Sequence, residues 1–133
     1  MKAAIIVDTT LPLGLIANSA AVLGASLGAL HPEIIGEDLV DLSGRRHAGI
    51  TGLPIPILGA DKEQLRKLVD SAEHDDDIDL VAFNDVAQRC KNYQEYSKLL
   101  AAVPSDTLRY LALLVVGKKQ AVNRLTGSLP LAK

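Results

Sequence analysis

The chain has no tryptophan, one phenylalanine and three tyrosines, so no aromatic cluster organises its interior. A core of Leu, Ile, Val and Ala is expected instead. The single Cys90 excludes an internal disulfide and a cysteine zinc cage. His31, His47 and His74 share no metal-ligand spacing and read as surface or capping residues, so no metal and no cofactor is expected. Phosphate-loop, dinucleotide and serine-elbow motifs are all missing. The net charge of -2 gives the whole molecule no strong attraction to nucleic acid. The longest absence is of charge itself: from Thr9 to Leu30 there is no Lys, Arg, Asp or Glu.

That uncharged stretch has the ~20-residue length of a membrane span. Its content argues otherwise. Pro12, Asn18, Ser19 and Ser26 interrupt it, and much of the remainder is Ala and Gly, which insert poorly compared with Leu and Ile. Asp8 splits it from the preceding apolar run, unlike a signal peptide. The reading is a helix buried in a cytoplasmic domain, with no membrane contact. Ala17, Ala20, Ala21, Gly24 and Gly28 are expected to let it lie close to a sheet or another helix.

The chain's 133 residues suit one domain. Ala3–Val7 is a continuous apolar run, the pattern of a strand covered on both faces. Pro12 suits the first turn of the helix that follows, and His31-Pro32 ends it. Asp38–Leu42 and Arg45–Ile50 flank Ser43-Gly44, a hairpin pattern. Leu53–Leu58 reads as an edge strand because Pro54 and Pro56 cannot donate to a ladder. Asp61 and Gln64 have capping-box spacing, ahead of the stripe Leu65, Leu68, Val69, Ala72. Ile78–Phe83 is a strand closed by Asn84-Asp85. Tyr93–Val103 reads as a helix with Tyr96, Leu99, Leu100 and Val103 on one face. Tyr110–Val116 is the strongest strand and is expected to be central, and Lys118–Leu125 closes the chain as a short helix. Strands alternating with helices predict a layered α/β/α domain over residues 1–133 with a mixed, mostly parallel sheet.

Asp8 and Asp85 both end predicted strands, where ligands collect in open α/β sheets. On neighbouring strands the two carboxylates would share a crevice, and one pKa would rise to give an acid–base pair. The alternative is that each caps a turn. Asn18, an amide in an apolar helix, is held by backbone or faces a pocket. His47 beside Arg45 and Arg46 is the most site-like histidine, in a loop suited to gripping an anion. Arg89 and Lys91 flank Cys90 and would lower its pKa, but no base partner accompanies it. The acidic run Glu73, Asp75, Asp76, Asp77, Asp79 and the basic Lys118, Lys119, Arg124, Lys133 read as solvated surface.

Three segments together resemble the peptidyl-tRNA hydrolase II fold group. The first is Ala4-Ile5-Ile6-Val7 leading through Leu11-Pro12-Leu13-Gly14 into an alanine-rich helix. The second is the strand ending Phe83-Asn84-Asp85. The third is Leu113-Leu114-Val115-Val116-Gly117 followed by Val122-Asn123-Arg124-Leu125-Thr126-Gly127-Ser128-Leu129. Within the group the chain is most similar to a bacterial branch of unknown function, through Gly14, Ala17-Asn18, Gly49-Ile50-Thr51 and Asn123–Leu131. Active members hydrolyse the ester linking a peptide to tRNA, using a lysine at the start of the first helix and an aspartate and a threonine after a later strand. The resemblance places Asp85 at that aspartate, Leu15 or Ala17 at the lysine, and Arg89 near the threonine. No lysine lies between Lys2 and Lys62. Losing a preorganised cation costs ~3 kcal/mol, about a hundredfold in rate.

Three functions follow as expectations. The first is a binding protein holding a small polar ligand near Asp8, Asn18, Asn84, His47, Asp85 and Arg89. The second is a divergent peptidyl-tRNA or other ester hydrolase with Asp85 as base and Arg89 replacing the lysine. The third is a self-associating structural domain, as a homodimer. The missing lysine makes tRNA an unfavoured partner.

Overall fold

Ala3, Ala4, Ile5, Ile6 and Val7 all become fully buried in β1 (Lys2–Asp8), as a continuous apolar run requires of a strand covered on both sides. A computed structural model describes all 133 residues. Four strands form the main sheet, in the order β4 (Ile57–Ala60), β1, β6 (Tyr110–Gly117), β5 (Ile78–Asn84). β4 is parallel to β1, while β6 runs antiparallel to both β1 and β5. The strand expected to be central is therefore central. Because it opposes the other three, only one of the three pairings is parallel, and the sheet is mixed rather than mostly parallel as expected.

Side chains alternate between two separate cores. Ala4, Ile6, Leu113 and Val115 face α2 (Lys62–Glu73) and α5 (Lys119–Thr126), meeting Leu65, Val69, Ala72, Ala121 and Val122. Ala3, Ile5, Val7, Leu114 and Val116 face α1 (Leu13–Leu30), meeting Leu23 and Leu27. The layers are thus α/β/α. Asp61 accepts from the Gln64 N–H while the Gln64 side chain accepts from the Asp61 N–H, completing the expected capping box.

Several expectations are corrected. α1 is not a buried helix: only Ser19, Leu23 and Leu27 are buried, because no further layer lies over its outer side. It keeps the length and composition of a span, but Leu23 and Leu27 seat it on the sheet. Its Gly14, Gly24 and Gly28 allow no close approach within the chain, since an added Cβ at each would meet nothing within 4 Å. β4 begins three residues after Pro54, because the prolines lack the N–H a ladder needs. Its outer edge is covered by the C-terminal tail, with Gly59 N–H donating to the Pro130 carbonyl at 2.8 Å and Ala132 N–H to the Ile57 carbonyl at 2.9 Å. The helix expected over Tyr93–Val103 forms as the shorter α4 (Tyr93–Leu100), with no residue buried, and an unforeseen short helix, α3 (Asp85–Arg89), precedes it.

The predicted hairpin exists but stands apart from the main sheet, as β2 (Leu39–Val40) paired with β3 (Arg46–His47). Gly44 makes its turn with φ +84, a conformation that favours glycine. The arm narrows to a neck where an added Cβ on Gly49 would sit 1.8 Å from the Gly36 carbonyl oxygen. The larger apolar residues along it, Leu39, Val40, Leu42 and Ile50, are all exposed.

Candidate functional site at the carboxyl end of the sheet

Because β1, β4 and β5 run the same way, their carboxyl ends lie together, and the antiparallel β6 begins at that same end. Asp8 ends β1 and is wholly buried. Its Oδ1 accepts from the Thr10 N–H at 2.9 Å and the Thr10 hydroxyl at 2.6 Å. Its Oδ2 accepts from Arg109 Nη2 at 2.8 Å. Burial alone would raise the Asp8 carboxyl. The Thr10 hydroxyl, the Arg109 guanidinium and the Thr10 N–H outweigh burial and hold it below the usual carboxylate range. Asp8 is thus a fixed anion with both oxygens engaged, and it positions Arg109 rather than exchanging protons.

Asp85 belongs to the same network by a different route. Its N–H donates to the Arg109 carbonyl at 2.9 Å, and its Oδ1 accepts from the Arg109 N–H at 3.1 Å. Its Oδ2 lies 3.8 Å from Arg89 Nη1, an exposed i,i+4 pair on α3. The strands carrying Asp8 and Asp85 are not neighbours, since β6 lies between them. The two carboxylates do not form a proton-sharing pair; Arg109 separates them, with its guanidinium on one and its main chain on the other. Sequence reasoning missed this residue. The available signal was an arginine placed immediately before the most apolar strand of the chain. Arg109 retains unspent donors: its side chain is 38% exposed while Nε is buried without a partner.

The chain after β1 enters α1 on one face of the sheet, and the chain after β4 enters α2 on the other. The adjacent parallel strands β1 and β4 therefore mark the switch point, outside which ligands bind in open α/β sheets. A cleft of about 560 Å3 opens there, lined by Thr9, Gly59, Ala60, Asp61, Gln64, Pro130, Leu131 and Lys133. At the same end α1 has no side-chain cap and no acidic residue in its first turn, leaving the positive end of its dipole unopposed. None of Asp85, Arg89 and Arg109 lines this cleft or any of four others of about 280–490 Å3.

The other expected site residues lie elsewhere. Asn18 is exposed on α1 and lines none of those clefts, because the helix presents that side to solvent. Asn84 is buried, but its side chain is consumed: Oδ1 caps α3 through the Ala87 N–H at 2.9 Å, and Nδ2 donates to the Tyr96 hydroxyl at 3.3 Å. In the His47 loop two of the three basic side chains meet the loop's own acids. His47 Nε2 lies 2.8 Å from Asp41 and Arg46 pairs with Asp38. Asp41 is held below the usual carboxylate range by His47, then by the Arg45 N–H. The acidic run and the basic end of the chain neutralise each other, with Lys118 3.1 Å from Asp77 and Arg124 3.8 Å from Asp75. Cys90 lines a separate, mostly apolar cleft of about 380 Å3 with Val22, Phe83, Tyr93 and Tyr96.

Comparison with known proteins gives fold without activity. The profile of a family described as "Protein of unknown function (DUF2000)" matches residues 1–133. A solved structure of a protein of unknown function from Agrobacterium tumefaciens strain C58 is similar over 99% of this chain and 97% of its own. It is 22% identical, with a TM-score of 0.89. At that identity the likeness establishes a shared fold. No protein with curated annotation matches.

Proposed function

The chain belongs to the DUF2000 family, and on that premise we propose that it binds a small polar ligand bearing an anionic group, at the β1–β4 switch point. The observation that carries this reading is the buried Asp8–Arg109 pair. A buried ion pair adds little net stability compared with apolar packing, so its presence calls for another use. Here it fixes a guanidinium with spare donors at the same end of the sheet as the polar cleft and the uncapped start of α1, two sources of positive potential that suit a carboxylate or phosphate. Thr9 and Lys133 line the cleft and are candidate further contacts.

Thermal unfolding against inorganic phosphate and a panel of small phosphorylated and carboxylated compounds tests it. A ligand at a hundred times its Kd stabilises by about 2.7 kcal/mol, which moves Tm by several degrees. The expected result is a saturable rise for at least one compound, lost in the Asp8→Asn/Arg109→Gln double variant, which removes the pair without stranding either charge. No rise in the parent, or an equal rise in the double variant, refutes the reading.

The same fold supports the narrower assignment to the peptidyl-tRNA hydrolase II group. The three layers, the mixed sheet and the terminal Asn123–Leu131 stretch, folded as the end of α5 and the tail on β4, are what that resemblance implies. A divergent ester hydrolase is the second reading. Asp85 is its base, and Arg89, 3.8 Å from Asp85, is its cation in place of the lysine. Ester hydrolysis that Asp85→Ala leaves unchanged would remove it.

A further inference from the structure

We propose that two copies of this chain associate through the outer side of α1, flanked by the β2–β3 arm. The first ground is area. The chain exposes 8451 Å2, whereas a compact 14.1 kDa monomer is expected to expose about 6,700 Å2. The excess of roughly 1,700 Å2 exceeds the ~800 Å2 that each partner buries in a standard stable interface.

The second ground is where the exposed apolar side chains lie. The exposed large apolar residues concentrate on α1, with Leu13, Val22 and Leu30, and on the arm, with Leu39, Val40, Leu42 and Ile50. Both rise from one layer of the molecule, because Ile34 and Leu53, at the two roots of the arm, pack against the same core that holds Leu23 and Leu27 of α1. Between its large residues the outer side of α1 presents Gly14, Ala17, Ala21 and Ala25, all exposed. Nothing within the chain requires glycine at 14, 24 or 28. A second helix backbone approaching this side does.

The third ground selects a second copy over other occupants. In a two-fold interface each patch meets its own equivalent, so a charged patch would repel itself. The Thr9–Leu30 stretch has no charge to repel. A different protein is steered and selected by complementary charge, of which α1 offers none, while Arg46 and His47 on the arm already pair with Asp38 and Asp41. A helix lying in a membrane surface carries Lys or Arg on its polar face, and α1 has neither.

The inference is independent of the ligand reading, and its test is the solution mass of the full chain by light scattering and sedimentation at ~100 μM. The expected mass is about 28 kDa, twice the 14.1 kDa of one chain. Ala21→Glu/Ala25→Glu places charge on the outer side without touching the core, and it is expected to return the mass to 14.1 kDa with an unchanged circular dichroism spectrum. Leu42→Glu, at the arm's fully exposed tip, is expected to weaken association at least tenfold and covers the case in which the helix variant fails to fold. A parent of 14.1 kDa overturns the inference, whether or not it floats with phosphatidylcholine vesicles. So does a dimer that both variants leave intact.

Discussion

α2 and α1 lie on opposite faces of the same four strands. α2 carries a capping box, acidic Glu63 in its first turn, and a stripe of Leu65, Val69 and Ala72 with charged residues on the remaining sides. α5 packs beside it, and that face of the molecule is finished against water. α1 has no side-chain cap and no charge, and it buries Ser19, Leu23 and Leu27 along one narrow ridge. Apart from Asn18, its opposite side is uncharged and mostly apolar but is left open. A helix that turns polar residues outward is designed for solvent. One that turns Gly, Ala, Val and Leu outward is half of a packing arrangement, and the contrast within one sheet identifies which half is unfinished.

The most damaging change is expected where the two faces part, at the buried pair below the switch point. Asp8→Asn strands the Arg109 guanidinium and should cost about 3 kcal/mol in urea unfolding, the lower end of the range for breaking a buried pair because Arg109 is partly exposed. The sign with pH follows from the lowered Asp8 pKa. The pair's contribution is complete above the ordinary carboxylate value of 3.8 and fades as pH falls through the lower folded value. Stability of the parent should therefore drop more steeply in acid than that of Asp8→Asn. Parallel pH profiles would show that the carboxylate is not the group being lost.

Next in size is a matched pair of core truncations. Leu27→Ala on α1 and Leu65→Ala on α2 remove fully buried side chains from the two separate cores, and each should cost about 2–3 kcal/mol. Equal losses mean that α1, despite its open outer side, is seated as firmly as α2. A loss below about 1 kcal/mol for Leu27→Ala alone would mean that α1 is a detachable element, and the interpretation of its outer side as an interface would lose its rigid base.

Local chemistry made much of this architecture legible. The apolar runs marked β1 and β6, and the Asp61–Gln64 spacing marked the start of α2, because each depends on neighbours in sequence. What was not legible depends on partners far apart. Arg109 reaches Asp8 across 101 positions, and only the antiparallel setting of β6 brings them to one end. Asn18 and the α1 glycines read as interior because an uncharged helix normally is interior. Whether a layer covers it is a property of the whole fold. The His47 loop looked cationic until folding brought Asp38 and Asp41 onto it. In the site, Asp8 and Asp85 were correctly placed at strand ends, while the residue that joins them was overlooked.

A smaller effect separates the two helix starts. Asp61→Ala removes the side-chain half of the α2 capping box, leaving the backbone N–H that donates to the Gln64 side chain, and should cost about 1 kcal/mol by urea unfolding. No comparable single substitution is available at the start of α1, where the cap is already absent. If Asp61→Ala proved neutral, the contrast between a finished and an unfinished helix would rest on side-chain polarity alone.

The smallest expected effect is the most discriminating, because its sign depends on the oligomer. At Gly28 an added methyl group meets nothing within 4 Å in the single chain. Alanine is the better helix former there, and the gain should be about 0.5 kcal/mol. That gain appears in dilute samples, where single chains dominate. At concentrations where two copies pack their α1 helices together, the same methyl enters the space that the small residues leave for a neighbouring backbone, and it weakens association. Gly28→Ala should then raise Tm at low concentration and flatten its rise with concentration relative to the parent, because mass action stabilises only the chains that pair. A uniform rise in Tm across all concentrations would place Gly28 outside the contact. A steeper concentration dependence in the variant would mean that the helices meet through some other side.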